Sequence, residues 1–248
     1  MIDLSGPKSI TGDVFVHSAG NLLSLSSSSI EAIGGKFDLF NLTLMSTLSF
    51  TKLTQVKAIE WSALPALDRL TFPAFISKAD SVIITNTFLS DLAGINLKTV
   101  QSLDINNNFR LQKFETQVAN ITSSINIAAN GKMDISFPNL IWANNMTFRD
   151  VRSLSTPSLS TVNGSLIFVN NGFSGYSAPN LTTVGNFAQK VGSLAFVGNN
   201  LMDNITLPLI TSIGGGIQVA NNSILTSVSL KALESVGGAV DLSGNFTT

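Results

Sequence analysis

Asp38, Glu60 and Asp104 stand at the same place in a repeated phrase of this chain, and their type and spacing raise a chemical possibility. That place points outward if the phrase is a strand in a stacked coil, where neighbouring strands lie about 4.8 Å apart. Asp38 and Glu60 would then face each other across one ladder, with Ile83 intervening before Asp104. Glycosidases use carboxylate pairs of this kind, one protonating the leaving oxygen while the other attacks or activates water. The pair therefore defines an enzymatic alternative, a polysaccharide-active parallel β-helix, and also a weak calcium site. Against the enzyme, the outward positions otherwise hold mostly Thr, Ala, Asn and Ser, which supply neither cations nor a cleft. His17, the single histidine, reads as an exposed strand-end residue with no Ser-His-acid set around it. The chain has no cysteine, which removes thiolate nucleophiles, cysteine metal sites and disulfides together. No catalytic, cofactor-binding or metal residue is assigned, and no cofactor is expected.

The elements that would position these acids are legible in the repeat. The phrase is a small residue, an apolar residue, any residue, another apolar residue, then Asn. Strict copies run through Leu103, Ile125, Leu166, Leu194, Ile217 and Val240, and weaker ones centre on Val14, Phe37, Ile59, Val82 and Met146. Successive centres lie roughly 20 to 23 residues apart, with one gap of about 28 between Leu166 and Leu194. A fixed period in this range indicates a solenoid. Alternation places Leu166 and Phe168 on one face and Ile167 and Val169 on the other. The first pair must point inward, because the preceding Leu159 and Val162 need the same core. The closing Asn carries both donor and acceptor and can satisfy turn backbone groups in adjacent coils. Asn108, Asn130, Asn171, Asn199, Asn222 and Asn245 are expected to form such a structural ladder. Phe109, Phe173 and Phe246 follow nearby and are expected to add an aromatic spine. No amphipathic helix is evident.

Composition narrows the function classes. Charged residues are 12% of 248 and the formal net charge is −1, so no basic surface awaits nucleic acid. The hydrophobic share of 44% belongs to a buried core, since polar residues break every apolar run below the ~18 residues needed to span a bilayer. The N-terminus lacks the basic and apolar regions of a secretory leader, and the C-terminus stops just after a repeat. Residues 1–248 read as a single solenoid domain, a fragment of a longer secreted protein.

Several strings carry a family resemblance: residues 59–67 (IEWSALPAL), 78–87 (KADSVIITNT), 139–149 (NLIWANNMTFR) and 177–185 (SAPNLTTVG). On these the chain resembles the fungal GPI-anchored cell-wall organisation family, which has receptor L-domain-like leucine-rich repeats and is related to sporulation-specific wall proteins. The resemblance covers nearly the whole chain. It implies an extracellular glycoprotein of the fungal-type cell wall and the outer face of the plasma membrane, held by a lipid anchor that this chain lacks. It also implies a role in wall organisation and integrity, with cell-wall polysaccharide or wall and membrane glycoproteins as partners. The expected fold is an all-β, right-handed parallel β-solenoid with a period of about 22 residues and about 11 coils. The expected function is a non-enzymatic, monomeric binding or structural platform. A receptor-like ligand-binding ectodomain is a further alternative to the enzyme.

Sequons fall at Asn41, Asn120, Asn145, Asn163, Asn180, Asn204 and Asn221, the expected N-glycosylation sites. Asn245 also begins one, but its ladder position argues against a glycan there. Among aromatics, Trp61 lies two residues after Ile59 and should face the core. Trp142 is placed in a turn, and Tyr176 is the better candidate for an exposed ring. Ile167, Val169, Ala195 and Val197 would form an outward apolar strip. Such a strip suits a partner or cover by the inserted loop at residues 186–191.

Overall fold

Period-two alternation makes strands here, and the computed structural model, which describes residues 1–244 and 246, contains no helix among them. It is a parallel β-solenoid divided into two compact units, Met1–Val118 with Ala129–Gly131, and Ala119–Ala128 with Lys132–Thr248. In the first unit the front strands are Val14–His17, Ala32–Phe40, Gln55–Leu64, Ser81–Thr87 and Ile95–Asn106. In the second they are Asn120–Ala128, Trp142–Arg149, Leu166–Val169, Leu194–Val197, Ile217–Asn222 and Val240–Gly244. These eleven strands match the eleven centres of the sequence repeat.

Equal repeats give equal registers. Phe37 lies beside Ile59, which lies beside Val82 and then Leu103, while Leu39, Trp61, Ile84 and Ile105 form the parallel inward row. All eight are buried. Parallel neighbours need a crossover, usually a helix; here the rest of each coil crosses and adds a short strand behind the core. In the first unit these rear strands are Ile2–Asp3, Ser24–Ser27, Thr47–Phe50 and Arg69–Thr71. The second unit has Gly175–Ser177, Asn204–Thr206 and Ser227–Ser229, with Asp134–Ser136 paired to Ser153–Ser155. Apolar side chains from front and rear fill the space between, and the front sheet's outer face carries polar residues together with exposed Phe15 and Phe40.

The corner at the end of the first ten front strands holds a left-handed residue. Ser18, Asn41, Ala63, Asn86, Asn107, Ala129, Asp150, Asn170 and Asn221 all have φ between 52° and 59°, and Gly198 takes the same place at 69°. Asn tolerates this conformation better than other residues with a Cβ. The doublets Asn107-Asn108, Asn170-Asn171 and Asn221-Asn222 thus divide two tasks: the first Asn turns the corner and the second points into the stack.

Those second asparagines hydrogen-bond from coil to coil. In the first unit Asn108 donates through Nδ2 to the Ile84 carbonyl (3.0 Å), and its backbone N–H donates to Asn130 Oδ1 (3.1 Å). Asn130 Nδ2 donates to the Ile105 carbonyl at 2.8 Å. Thr87 occupies the preceding rung, with its N–H and hydroxyl both directed at Asn108 Oδ1. In the second unit Asn171 N–H donates to Asn199 Oδ1 (2.9 Å) and Asn199 N–H to Asn222 Oδ1 (2.8 Å). Their Nδ2 groups donate in turn to the carbonyls of Phe148, Phe168 and Phe196. Asn108, Asn171, Asn199 and Asn222 are buried and Asn130 is half-buried. Asn245 lies outside the described residues.

The aromatic spine differs from the expected one. Phe109 is 66% exposed and Phe246 39%, so of the three expected rings only Phe173 is in the core. Phe109 follows the inward Asn108 and so is turned out at the corner, where it meets Phe88 edge-on with ring centroids 5.4 Å apart. The buried rings of the second unit are Phe137, Phe148, Phe168, Phe173, Tyr176 and Phe196, and those of the first are Phe37, Phe50, Trp61, Phe72 and Phe114.

Tyr176 corrects another expectation. It is the middle residue of a rear strand and therefore points inward, 4.5 Å from the Phe168 ring, with its hydroxyl 3.0 Å from Thr156 Oγ1. Burial pushes its phenol up to about 12. Folded and unfolded chains are both protonated below about pH 10, so stability is unaffected there. Between pH 10 and 12 the unfolded chain ionises first, and the fold loses up to about 2.7 kcal/mol. Tyr176 is the only tyrosine, so an ultraviolet absorbance titration reads this group alone. Its midpoint is expected near 12; a midpoint near 10 would show an exposed phenol.

Candidate functional site

The outer face of the first unit's front sheet gathers the residues capable of chemistry. Register sets Phe15 beside Asp38, Asp38 beside Glu60, Glu60 beside Ile83 and Ile83 beside Asp104. One column along, His17 lies beside Phe40, Ser62, Thr85 and Asn106 in order. Asp38 and Glu60 are thus ladder neighbours, yet each has a side-chain nitrogen partner of its own. His17 Nε2 is 3.1 Å from Asp38 Oδ1, and Lys36 Nζ is 2.5 Å from Glu60 Oε2. The Glu60 carboxylate, with smaller contributions from Asp38 and Asp13, holds the Lys36 ammonium above the ordinary lysine range. Asp104 accepts a hydrogen bond from Asn106 Nδ2 at 2.6 Å.

Aromatic rings flank the His17–Asp38 contact. Phe15 is 56% and Phe40 46% exposed, and the His17 ring lies between them with centroids 5.7 and 5.8 Å away. The result is a row of rings, each tilted steeply against the next, beside paired polar groups on an open sheet. Such a surface can stack against a flat ligand and exchange hydrogen bonds with it. Proton transfer to a leaving group asks instead for an acid within reach of a substrate held in a cleft. Among the described residues, no three His, Asp or Glu side chains are arranged to hold a metal ion. The sequence showed the acids singly; the ring row becomes visible only when residues 15, 17 and 40 are set in register.

The other positions of interest divide between the units. All seven sequon asparagines are exposed. Asn41 alone belongs to the first unit, at a corner with φ 55°, and the other six belong to the second. The strip residues are ladder neighbours, Ile167 with Ala195 and Val169 with Val197, and all four are half-buried. The inserted loop closes on itself through a bridge between Asn186 and Val191, and residues 186–191 are exposed. Trp142 does not sit in a turn. It opens the strand Trp142–Arg149, half-buried between Asn120 and Thr161, because strand pairing begins two residues before Asn144-Asn145. Trp61 is buried in the core as its spacing from Ile59 requires.

Comparison with known proteins gives a consistent set of relatives. The chain is 38% identical over 220 residues to protein ecm33 of Aspergillus fumigatus, a match covering 88% of this chain and 54% of that protein. It is 39% identical over 221 residues to a cell surface GPI-anchored protein of Arthroderma benhamiae, covering 88% and 55%. Sporulation-specific protein 2 of Saccharomyces cerevisiae is 30% identical over 222 residues, covering 89% and 43%. The chain therefore spans about half the length of the curated relatives it matches. No family model and no solved structure matches it. The relatives' names describe cell-surface and cell-wall proteins, and none of those named here is an enzyme name.

Proposed function

Because the chain is a homologue of fungal GPI-anchored cell-surface and cell-wall proteins, we propose that it is a non-enzymatic platform that contacts wall polysaccharide and supports wall organisation. Its place is extracellular, in the wall and at the outer face of the plasma membrane. The observation that carries the reading is the state of the carboxylate pair. Asp38 and Glu60 are each engaged by a side-chain nitrogen on an open face, beside exposed rings suited to contact with sugar. Stacked parallel coils, pinned by hydrogen bonds between turns, supply the rigidity a platform needs.

Incubation with insoluble glucan, chitin and mannan tests the proposal directly. Retention on one of these polymers is expected, with no release of reducing ends. Replacing Phe15 and Phe40 together by alanine should weaken retention about tenfold, the order expected for losing aromatic stacking. Polymer cleavage that disappears in Glu60→Gln would instead establish the β-helix enzyme and sink the platform.

A further inference from the structure

The first unit carries a concave feature behind the core, away from the front-sheet columns of Asp38 and His17. Its four-stranded rear sheet ends at Arg69–Thr71. In the next coil the chain adds no strand beside it among the described residues, and Asp91 makes an isolated parallel bridge to Lys113 instead. The interruption leaves a groove of about 350 Å³, lined by Phe75, Asp91, Gly94, Asn96, Lys113 and Glu115 among others. A neighbouring depression of about 370 Å³ shares Asp91 and Ala93 with it and brings in Asp68, Arg69 and Arg110. Both volumes fall in the range of small-ligand sites.

Two backbone features shape the groove. Gly94 has φ +96°, and a Cβ there would stand 2.6 Å from Phe72 Cβ, so only glycine lets the coil dip at this point. Phe75 has φ 60° in spite of its large side chain, and its ring is 52% exposed at the groove. Ile76 N–H donates to the Gly94 carbonyl at 2.8 Å and ties the two segments together. Strained residues with exposed apolar rings concentrate at ligand sites, where the neighbouring fold holds them in place.

The charges of the two depressions indicate what would enter. Asp68, Asp91 and Glu115 stand against Arg69, Arg110 and Lys113, so the lining balances. Lys113 is 3.6 Å from Glu115, and Arg110 lies 4.1 Å over the Phe88 ring. A polyanion would meet three carboxylates and a polycation three cations. A neutral chain of hydroxyls can donate to the former and accept from the latter, while the apolar face of a sugar ring packs on Phe75. No sequon asparagine lines the groove, so an N-linked glycan does not occupy it.

We propose that this groove binds a short stretch of a neutral glycan chain. The proposal rests on the platform reading for its choice of wall glycans, but assigns the contact to a site of its own. The test measures binding of short soluble glucan, chitin and mannan oligosaccharides by calorimetry, using the whole chain. One neutral series is expected to bind, and Phe75→Ala and Lys113→Met should each weaken it about tenfold. Glu115→Gln, at an exposed position, provides a second polar probe that leaves the core untouched. Thermal melts of each variant separate loss of the site from loss of the fold. Undiminished binding in all three variants would overturn the groove assignment, and preference for a phosphorylated oligosaccharide would overturn its neutral character. Retention on insoluble polymer with groove-independent oligosaccharide binding would leave the platform standing without this site. Groove-dependent binding without polymer retention would do the reverse, and failure of both would overturn both.

Discussion

Asn199→Ala is expected to destabilise the second unit by about 3–5 kcal/mol, read as a lower urea midpoint. The side chain serves both neighbouring coils. Its Oδ1 accepts from the backbone N–H and Nδ2 of Asn171, while its Nδ2 donates to the Phe168 carbonyl and to Asn222 Oδ1. Asn199 is fully buried, so water cannot replace the lost partners. Truncation would strand donors on one side and an acceptor on the other, each costing about 1–3 kcal/mol. Asn130→Ala is the internal comparison. It removes similar bonds in the first unit from a half-buried position, where water can enter, and should cost about 1 kcal/mol. Equal losses at the two sites would mean that burial does not govern the ladder.

Phe168→Ala should rival that effect, at about 3–5 kcal/mol. The Phe168 ring is fully buried with centroids 4.5 Å from Tyr176, 4.7 Å from Phe196, 5.9 Å from Phe148 and 6.0 Å from Phe173. Removing it opens a void that four rings border, in a core pinned at both faces by strand pairing. Phe109→Ala, at a position the sequence placed in the core, should move the urea midpoint little because its ring is already in solvent. A large loss there would restore the spine expected from spacing alone.

The contrast between Phe168 and Phe109 shows where sequence reading holds. Inside a strand, alternation decides which face a side chain takes, so Phe37, Trp61, Phe168 and the outward Asp38 and Glu60 could be assigned from spacing. At the corners that logic ends. A left-handed residue reorients the chain in one step, and the exposed Phe109 follows such a corner by two residues. Tyr176 failed for a related reason: its rear strand is three residues long, too short to show a period. The Asn-Asn doublets did carry a usable signal, one residue for the left-handed corner and one for the ladder. The ring row of Phe15, His17 and Phe40 and the groove at Phe75 had none. Each joins residues from different coils, and the groove depends on a strand that does not form.

The long coil between Leu166 and Leu194 has a consequence of another kind. Its chain leaves the stack at Gly185 and re-enters at Gly192, where a Cβ on the first glycine would stand 2.8 Å from the Cα of the second. Val184 keeps its pairing to Val162 and Ile213 on either side. Subtracting residues 186–191 from the 28-residue spacing leaves 22, the length of an ordinary coil. The excursion is therefore modular: it hangs from a closed doorway and bears no part of the register. Passenger sequence, whether an affinity tag or a natural insertion, can be exchanged at that doorway while the coils on both sides keep their count.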